Sequence, residues 1–79
     1  MNYTVARLVH RQPRFFTGRY VGKGALPHPV TTGHPDKAHA YDDETVATLV
    51  CSFLNFIASV VAPANGRPWI VLAMPEARR

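Results

Sequence analysis

The run from Thr45 to Gly66 contains no charged residue, and in a chain of 79 residues that run decides most of what can fold around it. Thr45, Thr48, Ser52, Asn55 and Ser59 recur at intervals of three and four, and every other residue from Val46 to Val61 is apolar. At 3.6 residues per turn these polar positions form one stripe only about 80° wide. The pattern predicts a single helix whose remaining surface needs cover. Val46, Val50, Phe53, Leu54, Ile57 and Val61 centre the face opposite the stripe and are expected to meet a sheet. Leu49 and Phe56 lie beside the stripe, where a small sheet does not reach. With Val60 they are the residues expected to self-associate if the sheet and the long loop leave them open, since large exposed apolar patches usually mark contacts. Ala47, Cys51 and Ala58 line the other flank and permit close backbone approach.

Asp42 is the expected N-cap, with Asp43 and Glu44 in the first turn where the helix dipole favours anions. Pro63 and the Asn65-Gly66 turn stop the helix near Val60 or Val61. The uncharged run is long enough to span a bilayer. The coherent polar stripe and the amphipathic segments on both sides favour a globular helix instead, with no membrane partner.

Those flanking segments read as strands. Tyr3–Val9 alternates, Arg11-Gln12-Pro13-Arg14 supplies a turn, and Phe15–Val21 is β-favouring, so the pair predicts an antiparallel hairpin. With Gln12 and Pro13 at the tip, Val5 faces Tyr20, Val9 faces Phe16 and Arg7 faces Gly18 on one side. Gly22 to Pro35, rich in glycine and proline, reads as an irregular stretch. Lys37–Tyr41 reads as a short third strand, and the segment from Arg67 to Met74 as the last. The fold class is α+β: a small antiparallel sheet of three to four strands, β-β-(β)-α-β, packed against one helix. Residues 1–79 make one compact domain.

A chain this short buries only about 60–65% of the surface its unfolded state exposes. A deep substrate cleft competes with the core for the same side chains, which weighs against an enzyme. The net charge is +4, and from Met1 to Pro35 the chain carries Arg7, Arg11, Arg14, Arg19 and Lys23 with no acid. Such a field attracts nucleic acid or an acidic protein surface. Arg11, Arg14, Phe15, Arg19 and Lys23 are therefore the expected partner-binding residues, since arginine forks grip phosphates or carboxylates and an aromatic stacks or packs beside them.

Other chemistry finds little support. One cysteine, Cys51, excludes an internal disulfide and a four-cysteine zinc site and suits a reducing cytoplasm. His10, His28, His34 and His39 match no zinc spacing. The glycines from Gly18 to Gly24 lack the lysine-plus-hydroxyl ending of a phosphate loop. No catalytic residue, metal or cofactor is expected.

The layout resembles that of the anti-CRISPR proteins, small inhibitors carried by phages and other mobile elements. The resemblance lies in size and in the order of parts: a basic hairpin, the Ala40-Tyr41-Asp42-Asp43-Glu44 approach to one helix, and a final strand around Trp69-Ile70-Val71. It implies a stoichiometric inhibitor in the cytoplasm of a bacterial host, docked on a subunit of a CRISPR-Cas effector complex and blocking target DNA binding. This chain is basic, whereas a common pattern among those inhibitors is an acidic surface imitating DNA. It would then act on an acidic surface, or sterically, as a monomer or weak homodimer. The alternative expectation is a basic accessory protein that binds nucleic acid through the hairpin.

Overall fold

Two residues with left-handed backbone, His10 (φ 52°) and Arg11 (φ 66°), turn the chain between its first strands. Positive φ at both central positions is what a two-residue hairpin turn requires, because its twist then matches that of the strands. In this computed structural model, which describes residues 2–22, 27–65 and 68–74, strands β1 (Asn2–Val9) and β2 (Gln12–Gly22) flank that turn. The tip is thus not at Gln12-Pro13: Val9 pairs with Gln12, Arg7 with Arg14 and Ala6 with Phe15. Pro13 pairs with Leu8 inside the ladder, one position beyond the pair that closes the turn. Antiparallel pairs alternate, so the N–H that Pro13 lacks points away from β1, where no third strand has yet begun. The register moves by an even number of residues from the expected one. Val5, Arg7, Val9 and Phe16 therefore still share a face, as expected.

The sheet has four antiparallel strands in the order β3-β2-β1-β4, with β3 at Pro27–Thr32 and β4 at Trp69–Met74. The third strand thus comes from the proline-rich stretch expected to be irregular. Thr17 Oγ1 donates to the Val30 carbonyl at 2.9 Å, so Val30 faces β2. Alternation then turns positions 27 and 29 outward, where prolines on an edge strand break no ladder bond. The segment expected as the third strand is instead a 3-10 turn at Pro35–Lys37 followed by a single bridge between Tyr3 and Tyr41.

That bridge fills a wedge. At Gly18, with φ 83°, β2 breaks register and leaves β1. Residues 39–41 enter the gap: the His39 N–H donates to the Phe16 carbonyl at 2.9 Å, and Tyr3 and Tyr41 exchange two backbone bonds of 2.7 Å. Thr4, fully buried, donates from Oγ1 to the His39 carbonyl at 2.9 Å. A Cβ on Gly18 would lie 2.9 Å from His39 Nδ1, so glycine is required for space as well as for backbone angle.

Helix α1 (Glu44–Val61) is capped by Asp43, whose Oδ1 accepts from the Thr45 N–H at 2.8 Å. The cap falls one residue later than expected because Tyr41 is held in the bridge, leaving Asp42 to make the bend. The helix packs on β1 and β4 and starts beside Tyr3. It ends beside the hairpin tip, where Ala58 and Val61 share a groove with Leu8 and His10. The core joins Val5, Phe16 and Trp69 of the sheet to Ala47, Cys51 and Leu54 of the helix, with Ile57 also buried.

The buried helical face is therefore rotated from the expected one. Val46, Phe53 and Val61 are exposed, while Ala47 and Cys51 are buried. Small side chains allow the helix to sit low on the sheet, and a polar residue fixes its rotation. Asn55 Oδ1 accepts from the Trp69 N–H at 2.9 Å and Asn55 Nδ2 donates to the Trp69 carbonyl at 3.2 Å. This two-point clamp satisfies outward groups of edge strand β4 and pulls the polar stripe toward that edge.

Candidate interaction surfaces

The hairpin arginines do not act as one patch. Arg11 is exposed at the tip. Arg14 is half-buried and braced on β3: Nε donates to Thr31 Oγ1 at 3.2 Å and Nη2 to the Thr31 carbonyl at 3.0 Å. Phe15, next in the strand, is half-buried on the opposite face. Arg19 is exposed beyond the Gly18 bulge. Arg19 lies eight positions beyond Arg11, about 26 Å of extended strand. Lys23 lies outside the described residues.

Arg7 was not among the expected site residues, yet it is half-buried between neighbours on both sides. It pairs across the ladder with Arg14 on one side and Trp69 on the other. Like charges directly opposite repel, and the two side chains take different partners. Arg14 binds Thr31, while the Arg7 guanidinium lies 5.0 Å from the centre of the Trp69 ring. Cation–π attraction of this kind is worth about 0.5–2 kcal/mol depending on desolvation. Arg7 Nε is buried without a hydrogen-bond partner. Arg7 also borders a cleft of about 220 Å³ beneath the end of α1, shared with His28, Leu54, Ile57 and Val61. A sequence signal existed only in hindsight: a lone arginine within an alternating strand.

Charge is nevertheless divided in space. Among the described residues, β1, β2 and β3 carry no acid, and Arg7, Arg11 and Arg14 lie toward the hairpin tip. Asp42, Asp43 and Glu44 lie at the opposite end, where α1 begins beside Tyr3.

The helix carries the largest unpartnered apolar surface described. Leu49 is 65% exposed, Phe56 62% and Val60 55%, so the three residues expected to mediate self-association do lie together on one open face. Val46 at 44% and Phe53 at 46% extend it. Val46, Leu49, Phe53, Phe56 and Val60 follow a three-four-three-four spacing, the seam periodicity of a helix that packs on another helix. Phe53 leans on Tyr20 in an edge-on contact with ring centres 6.1 Å apart, and Tyr20 in turn meets Phe16 at 5.3 Å. The helix is also long and apolar enough to cross a membrane by length and composition.

The sheet face away from α1 carries a row of Thr32, Phe15, Ala6 and Ile70 across all four strands. Ala6 is buried there by its larger neighbours, while Leu8 and Ile70 remain exposed.

Nucleophilic chemistry is muted. Cys51 is buried in the core, and desolvation pushes its thiol above the ordinary value, which keeps it protonated. Among the described residues no three His, Cys, Asp or Glu side chains come together as a metal-holding group. No family model, curated protein or solved structure matches the chain.

Proposed function

We propose that the protein is a non-enzymatic binding protein of the anti-CRISPR kind. In this reading it docks the arginine-bearing end of its hairpin on an acidic surface of a CRISPR-Cas effector complex and blocks target DNA binding there. The observation that carries the reading is the division of charge: Arg7, Arg11 and Arg14 toward the hairpin tip, and the Asp42, Asp43, Glu44 cluster where α1 begins beside Tyr3. Such a bipolar field orients the molecule during encounter as well as attracting it, and so raises the rate of productive docking. Arg11, at the tip and exposed, is the leading contact, and Arg19, exposed about 26 Å of strand farther along, is a separate contact outside that end. Arg14 positions the tip by bracing β2 on β3 and is the wrong residue to reverse in a test.

The experiment mixes purified protein with a panel of CRISPR surveillance complexes and measures binding of labelled target DNA. The expected result is loss of DNA binding by at least one complex. Arg11→Glu with Arg19→Glu should restore it while leaving the circular dichroism spectrum unchanged. Inhibition that survives the double reversal would overturn the docking surface, and no inhibition across the panel would overturn the partner. Direct micromolar binding of the free protein to duplex or single-stranded DNA, weakening steeply with salt, would instead assign it to nucleic acid.

A further inference from the structure

We infer that the exposed face of α1 is a two-fold homodimer interface in which the helices of two copies pack antiparallel, independently of the hairpin reading. The seam is Val46, Leu49, Phe53, Phe56 and Val60, which runs about 21 Å along the helix at 1.5 Å per residue. It runs along the flank of the core contact: Leu49 points almost opposite buried Ala47, while Phe53 borders buried Ile57 and leans on Tyr20. Over two heptads the seam drifts by only about 20° per repeat, so it stays on one side of a straight helix.

The occupant follows from three properties of the seam. First, it is nearly palindromic about Phe53. A two-fold axis there sets Phe53 against its own copy, Leu49 against the second copy's Phe56 position, and Val46 against its Val60 position. Each large side chain then meets a large one and each valine a valine, which is the self-complementarity a two-fold interface needs. Second, the area suffices. Aromatic side chains carry about 200 Å² each, and at the observed exposures the seam offers roughly 500 Å² per copy. Two copies together remove at most about 1,000 Å² from water, the lower limit for a specific interface, so association should be weak and reversible. Third, charge selects the direction. Parallel packing would gather Asp42, Asp43 and Glu44 of both copies at one end. Antiparallel packing sends each acidic cluster to the hairpin end of the other copy, where Arg7 and Arg11 lie, and opposes the helix dipoles.

Sedimentation equilibrium of the full chain from low micromolar to near-millimolar concentration tests the association. The expected result is a reversible monomer–dimer equilibrium. Leu49→Asn with Phe56→Ser should weaken it at least tenfold with unchanged helix content, and Ser59→Arg on the polar stripe should leave it unaltered. A monomer at every concentration overturns the inference, as does a dimer indifferent to the seam substitutions. For direction, Val46→Cys and Val60→Cys chains are prepared on a Cys51→Ala background. Mixed and oxidised, they should cross-link to each other in preference to themselves. Self-cross-linking of Val46→Cys would overturn the antiparallel arrangement. Co-sedimentation of a monomer with phosphatidylcholine vesicles would overturn the dimer and assign the face to a membrane.

Discussion

Replacing Asn55 by alanine removes both bonds that fix the rotation of α1 against β4. The Trp69 N–H then loses an acceptor at 2.9 Å and the Trp69 carbonyl a donor at 3.2 Å, at a residue only 3% exposed. Each bond is worth about 1 kcal/mol net, and each partner left unsatisfied in a covered position costs about 1 kcal/mol or more. Water reaches part of an edge strand, so the total should fall near 2–3 kcal/mol. A domain of this length holds on the order of 4–12 kcal/mol in all, so the loss is a large fraction of stability. Urea denaturation followed by tryptophan fluorescence is the assay, with protein concentration fixed because association would shift the midpoint. At a slope of about 1 kcal/mol per molar urea the midpoint should drop by about 2–3 M with little change in slope. Asn55→Asp keeps the acceptor yet sets a carboxylate against the Trp69 carbonyl, so it should do no better than alanine. Thr48→Ala, exposed on the same stripe, should change stability by less than about 0.5 kcal/mol. An Asn55→Ala variant within that same margin of the wild type would refute the clamp as what orients the helix.

Gly18→Ala should destabilise by about 1–3 kcal/mol, because alanine is strained at φ 83° and its Cβ meets His39. Combining it with His39→Ala should recover the part due to the collision and leave the part due to the backbone, read by the same urea titration. The Cys51 thiol, buried in the core and pushed up by desolvation, should react with a neutral-pH thiol reagent only as the chain unfolds. Fast labelling of the native protein would contradict that burial. Desolvation, and then the nearby Tyr20, raise Tyr41 above its usual value of 10.0. The folded state therefore favours the neutral phenol. The stability this provides is full below pH 10 and is lost as pH rises through the folded pKa. The tyrosinate absorbance step missing from Tyr41→Phe should accordingly be centred above pH 10.

The hairpin residues and the helix teach different lessons about legibility. Alternation in Tyr3–Val9 and the Phe15–Val21 run were enough to place two strands, and an even register error left their faces unchanged. The turn itself was misplaced, because proline is a strong turn signal, whereas His10 and Arg11 adopt positive φ without advertising it. β3 was hidden for a related reason: its prolines argue against a strand, and only its edge position makes them harmless. The open flank at Leu49 and Phe56 was legible because it lies outside any face a small sheet can cover. Val46 and Phe53 were misassigned to the core because apolar character alone does not say which apolar face is buried. Arg7 and Asn55 were missed because their partners, Trp69 in both cases, are far away in sequence.

By itself, the sequence determined that one long apolar helix must pack on a small antiparallel sheet, since periodicity, caps and breakers are local properties of the chain. Only the tertiary structure decided how far that helix turns about its axis. Small residues at Ala47 and Cys51 let it approach closely, and Asn55 locks the rotation onto the β4 backbone. Rotation matters because the same apolar residues make a core on one side and an open seam on the other. The choice between them was made by a pair of long-range hydrogen bonds that no local pattern encodes.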